Sequence, residues 1–189
     1  AFNTSLWHGL KGRYDADQRK YQADFLGFGQ KFYNDYSIEI RKNVTKKWTS
    51  IFTYLKQYYN AKYVEETYGE INTNTVVWDN LYNFSGSKTL KVELQHQWAD
   101  ANFRNWVAGL VEYNFNSNWS VFNNNLYNYG NSDSAKKINY YSLGTTYAKN
   151  ATRVQLSYGR QRGGLVCIGG VCRFVPESSG LTLNFNYSF

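Results

Sequence analysis

The chain has 189 residues, a formal net charge of +7, a mean hydropathy of −0.61, 18 Tyr and a single Pro. That length suits one domain over 1–189. A helical membrane span is excluded, because no apolar run approaches the ~18 residues it needs; a membrane β-barrel is not, since its strands need only about 9–11 residues with alternate side chains facing lipid. The basic residues form no dense run or recognition motif, so the charge does not predict a nucleic-acid partner.

Period-two alternation predicts strands near 5–13, 20–30, 35–42, 47–58, 73–84, 88–98, 104–115, 119–129, 138–148, 152–161 and 180–189. In the sixth, Leu90, Val92, Leu94 and Trp98 take one face against Lys91, Glu93, Gln95 and Gln97. In the ninth, Tyr141, Leu143 and Tyr147 share a face, and in the tenth Val154, Leu156 and Tyr158 oppose Arg153, Gln155 and Ser157. The last is the clearest, with Leu181, Leu183, Phe185, Tyr187 and Phe189 on one side and Thr182, Asn184, Asn186 and Ser188 on the other. Several of these strands reach bilayer-crossing length, beyond the ~5–6 residues of an average soluble strand.

The connections fall into two classes. Tight turns are expected at 43–46, 85–87, 116–118 and 149–151, and longer segments at 59–72, 99–103, 130–137 and 162–179. Such alternation describes an antiparallel meander whose ends differ, as the short periplasmic turns and longer outer loops of a transmembrane barrel do. Trp48, Trp119 and Tyr147 fall at the short-turn end, where an aromatic girdle is expected. The competing reading is a soluble barrel or sandwich, in which the polar face meets solvent and the apolar face fills the inside. Eleven strands leave the two chain ends on opposite sides, whereas single-chain bacterial barrels usually have an even number. With a chain that starts at Ala1 without Met, the odd count predicts either a miscounted strand or the C-terminal part of a larger barrel.

Candidate chemistry concentrates in three places. Cys167 and Cys172, the only cysteines, flank Gly169 and Gly170 and can close through a reverse turn, so a structural disulfide is expected. A zinc site needs two further soft ligands, and a redox pair normally has tighter spacing beside a helix start. On the polar face, Glu39, Arg41, Lys91, Glu93, Glu112 and Arg153 are expected to point into the lumen, with the bulk of Trp106 and Leu110 narrowing it. His8 and His96 are the only imidazoles, and His96 shares its side with Leu94 and Trp98, which suits an interface residue better than a base. No nucleophile elbow, metalloprotease motif or phosphate loop is present, so no catalytic residue, metal or cofactor is expected. The segment bearing Lys62, Glu65, Glu66 and Glu70 could serve a partner or simply be solvated.

Residues 158–189, YGRQRGGLVCIGGVCRFVPESSGLTLNFNYSF, resemble the C-terminal signature of a family of Bacteroidota outer-membrane barrel proteins of undefined function. VVWDNLYNF at 76–84 and KINYYSLGTTY at 137–147 are similar to the same family, and the looser likeness runs from about residue 73 onward. The resemblance implies an all-β, antiparallel transmembrane barrel in the bacterial outer membrane, of which this chain is the C-terminal portion. It implies outer-membrane lipid, the assembly machinery and other outer-membrane proteins as partners, and it brings no substrate or catalytic residue. A structural or complex-forming role is therefore expected. The alternative, a passive porin for small polar or acidic solutes such as oligosaccharides, rests on a weaker likeness to small acidic-oligosaccharide porins. Phe189 and Tyr187 end the chain as outer-membrane proteins generally end, in an aromatic after alternating apolar residues, which implies an assembly signal.

Overall fold

A computed structural model describes residues 1–15, 17, 19–64, 69–100, 104–168 and 171–188. The strands are β1 (Phe2–Asp15), β2 (Lys20–Asn43), β3 (Trp48–Asn60), β4 (Glu70–Asn83), β5 (Thr89–Ala99), β6 (Trp106–Asn114), β7 (Trp119–Tyr127), β8 (Asn139–Lys149), β9 (Thr152–Gln161), β10 (Gly164–Ile168), β11 (Val171–Val175) and β12 (Ser178–Tyr187). Ten of them form one sheet, with β1 to β9 in chain order followed by β12, every neighbour antiparallel. β10 and β11 pair separately as a hairpin inserted between β9 and β12. Among the described residues the one α-helix is a single turn, α1 (Ala61–Val64). β1 and β12 do not pair, so the sheet is an open meander rather than a closed barrel.

Two expectations about strands are corrected. The segments 20–30 and 35–42 are one strand, and the presumed loop 162–179 contains the β10–β11 hairpin. Asn34 and Asp35 lie inside the ladder, although Asn34 Oδ1 is buried without a hydrogen-bond partner. Asp35 Oδ1 accepts from the Ser5 amide at 2.7 Å, its Oδ2 accepts from Tyr33 Oη at 2.9 Å, and Asn34 Nδ2 donates to Tyr36 Oη at 2.9 Å. With that strand restored the sheet count is even, and both chain ends lie at the short-turn end: Phe2 pairs with Ile38 near the end of β2, and Tyr187 with Thr152 at the start of β9. The parity argument for a missing strand therefore lapses.

Local chemistry makes the tight turns. Thr45 Oγ1 accepts from the amides of Lys47 and Trp48 at 3.2 and 3.1 Å, and Asn116 Oδ1 from those of Asn118 and Trp119 at 2.8 and 3.0 Å. Gly86 and Asn150 supply the positive φ, 60° and 54°, that their turns require.

Because register is continuous, each face can be followed across the sheet. One row runs Ser50, Asn80, Val92, Val111, Asn123, Leu143, Tyr158, Leu181, and the next runs Ile40, Phe52, Trp78, Leu94, Gly109. The opposite face carries Arg41, Ile51, Asp79, Glu93, Leu110, Asn124, Ser142, Gly159, Gly180 in a single row. No apolar core lies between layers: the buried hydrophobic residues among those described are Ala61, Ile71 and Trp106. The large apolar side chains are on show instead, with Leu181 75%, Leu183 68%, Ile40 60% and Leu143 59% exposed. Glycines on the polar face let β7, β8 and β9 close up. A Cβ on Gly159 would fall 1.9 Å from the Tyr141 carbonyl oxygen, and one on Gly144 2.6 Å from Phe122 Cζ.

Candidate functional site: the polar face

All six charged residues expected in a lumen share the polar face, and they do not form one cluster. Lys91 bridges Asp79 at 3.1 Å and Glu93 at 3.0 Å, and Glu93 also accepts from Gln95 Nε2. Glu112 lies directly across from Lys91 in the β5–β6 register, while the ammonium itself is held by two carboxylates, Asp79 and Glu93. Glu39 and Arg41 sit apart on β2, in a loose, exposed pair at 3.7 Å. Arg153 stands opposite Asn186, near the short-turn end. Asp79, the partner that completes the Lys91 group, belongs to a strand whose alternation was legible, but its pairing depended on register.

A cavity of about 650 Å³ opens on this face between β6 and β12. Glu112, Asn124, Ser157, Arg153, Gln155 and Asn184 are among its lining. Its upper rim, at the long-loop end, holds a group that sequence reasoning missed. Arg160 Nε and Nη2 donate to Glu177 Oε1 at 2.7 and 2.5 Å, and Tyr140 Oη donates to Glu177 Oε2 at 3.2 Å. Arg162 lies 4.6 Å over the Trp106 ring, which stacks on Tyr140 at 6.4 Å between centroids. Glu177 follows the β10–β11 hairpin, so this clasp ties the end of the hairpin to β8 and β9. The only advance signal was the paired arginines of YGRQRGG at 158–164.

The apolar face has its own order. At the short-turn end Tyr82 meets Phe84 at 4.8 Å, Phe84 meets Tyr113 at 6.1 Å, Tyr113 meets Phe115 at 4.9 Å, and Trp119 meets Tyr147 at 4.8 Å. Trp48 joins this band opposite Tyr82 in the register. At the other end His96 approaches Tyr129 Oη at 2.5 Å through Nε2 and packs edge-on to Trp98 at 4.0 Å. Polar atoms between the bands are mostly covered by neighbours: Trp78 Nε1 donates to Ser50 Oγ at 2.9 Å, Trp48 Nε1 to Asn80 Oδ1 at 3.1 Å, and Tyr54 Oη to Asn74 Oδ1 at 2.7 Å.

Cys167 and Cys172 face each other in the β10–β11 register. Directly opposed antiparallel residues have Cα atoms about 4.5 or 5.5 Å apart, both within disulfide range. Gly169, Gly170, Glu65, Glu66 and the terminal Phe189 lie outside the described residues; Tyr187 closes β12, 57% exposed. Among the described residues no group of three His, Cys, Asp or Glu is arranged to hold a metal ion.

The model of a family of unknown function, DUF6029, matches the chain over residues 1–189. The chain belongs to this family. Membership spans the whole chain. No curated protein and no solved structure matches the chain.

Proposed function

We propose that this member of the family forms the wall of an outer-membrane β-barrel, with its apolar face against lipid and its polar face inward. One observation carries the reading: from β2 to β12 most exposed apolar side chains fall on one face and most of the strand charges on the other, with Lys56 and Arg160 among the exceptions. A soluble sheet covers its apolar face with a second layer, and among the described residues this chain supplies none. Strands β3 to β9 have 9 to 14 residues, which suits a tilted crossing. The aromatic band at the short turns suits a membrane interface. In hydrocarbon the free edges of β1 and β12 need partners, so the reading requires closure, by pairing with each other or with further strands. The wall then has a structural or complex-forming role.

The test compares two tryptophans. Variants that keep only Trp78, on the apolar face, or only Trp106, on the polar face, with the other five changed to Phe, are reconstituted in vesicles of brominated lipid. Trp78 emission is quenched and Trp106 emission is not; equal quenching of both, or of neither, defeats the proposal.

A second reading, passage of small polar or acidic solutes, has its own support in the 650 Å³ polar cavity. Planar-bilayer conductance separates it from the structural role. A protein that inserts and carries no current rejects the passage reading and leaves the wall standing.

A further inference from the structure

We propose that the apolar face self-associates within the membrane through Asn123 and Asn125 of β7, pairing with the same residues of a second copy. The inference rests on the wall reading above. The alternation is inverted in the middle of β7: Phe122 and Leu126 point to the polar face, while Asn123 and Asn125 point to the apolar one between Val121 and Tyr127. Asn123 is the fifth of the nine residues of β7, midway between its ends and therefore far from headgroup water. It sits in its row between Val111 and Leu143, which are 44% and 59% exposed. Asn125 sits opposite Gly109, whose missing side chain leaves its amide uncovered on that side.

The contrast with other uncharged polar side chains of the face makes the case. Ser50, Asn74 and Asn80 each accept a hydrogen bond from a neighbouring aromatic donor, and Thr145 Oγ1 donates to the Ser120 carbonyl at 2.9 Å. The side-chain amides of Asn123 and Asn125 have no such partner among the described residues. Lipid tails offer neither donors nor acceptors, so an amide at this depth needs another protein surface. A second copy meets that need with no further assumption. A carboxamide carries both a donor and an acceptor, so the same patch is complementary to itself across a two-fold axis, which is the commonest symmetry of homo-oligomers. Val111 and Leu143 then pack as an apolar rim around the paired amides.

Sedimentation of the detergent-solubilised protein over a concentration series gives its oligomeric state, with the Asn123→Leu/Asn125→Leu variant beside it. Leucine restores an uninterrupted apolar face, so the variant is expected to fold at least as well, which heat-modifiable migration checks. The parent is expected to be a reversible dimer whose dissociation constant rises at least about ten-fold in the variant. A parent that stays monomeric over the series, or a variant that dimerises equally, overturns the inference. If the variant fails to fold, crosslinking at Val111→Cys with the native cysteines changed to Ser decides instead, because only this interface brings that position to its own copy. The Trp78 quenching experiment run on the same preparation keeps loss of self-association distinct from failure of the membrane reading.

Discussion

Replacing Gly159 by Ala tests the closure of β8 on β9 directly. The added Cβ would stand 1.9 Å from the Tyr141 carbonyl oxygen, 2.8 Å from Ser142 Cα and 2.9 Å from Tyr141 C. All three atoms are backbone or Cα, so no side-chain rotation relieves the clash. Even a close carbon–oxygen contact is about 3.3 Å, so the strands must part by more than about 1 Å from a spacing near 4.8 Å. Overpacking of that kind costs about 1–3 kcal/mol, and loss of one ladder hydrogen bond adds about 1 kcal/mol, for a total of about 2–4 kcal/mol. Gly109→Ala is the matched control, also mid-strand, where the nearest atom is Leu94 Cδ2 at 3.6 Å, an ordinary contact. It is expected to fall within about 0.5 kcal/mol of the parent or to gain slightly, because Ala restricts the unfolded chain. Urea unfolding in micelles, followed by tryptophan fluorescence, reads both. The reasoning is refuted if Gly159→Ala unfolds at the parent's midpoint, or if Gly109→Ala loses as much.

Lys91→Met removes the ammonium between Asp79 and Glu93 and should cost about 1–2 kcal/mol, between the values for exposed and buried pairs; the deficit should shrink as pH falls and the carboxylates are protonated, which urea midpoints at neutral and acid pH compare. Cys167 and Cys172 should resist alkylation until reductant is added, by intact mass; the closed loop is worth about 2 kcal/mol to the hairpin, and alkylation of both thiols without reductant would exclude the bridge. Deleting Phe189 should leave chain in the periplasm and reduce the heat-modifiable signal in the outer-membrane fraction, whereas equal yields would remove its assembly role. Glu177→Gln should loosen the clasp on Arg160 and Tyr140 and raise proteolytic nicking in the 162–177 excursion while leaving sheet stability within about 0.5 kcal/mol; unchanged nicking would count against it.

Strand alternation is a local property, which is why the faces were legible without coordinates. Leu90 to Trp98 and Leu181 to Tyr187 had their sides assigned by period two alone, and the structure keeps them there. The four tight turns were legible for the same reason, since Thr45, Gly86, Asn116 and Asn150 make their turns from neighbouring atoms. What needed tertiary structure was everything set by a partner far along the chain. The break expected between 30 and 35 disappears because β1 and flanking tyrosines bond Asn34 and Asp35, and the strand runs through. Glu177 reaches Arg160 only because the hairpin excursion returns beside β9, and Arg162, just after β9, finds Trp106 at the start of β6. The glycines at 144 and 159 are ambiguous as letters and become necessary only once the neighbouring strand is in place. A side chain's face follows from its own backbone period, whereas its partner follows from register and curvature, which exist only after the strands have paired.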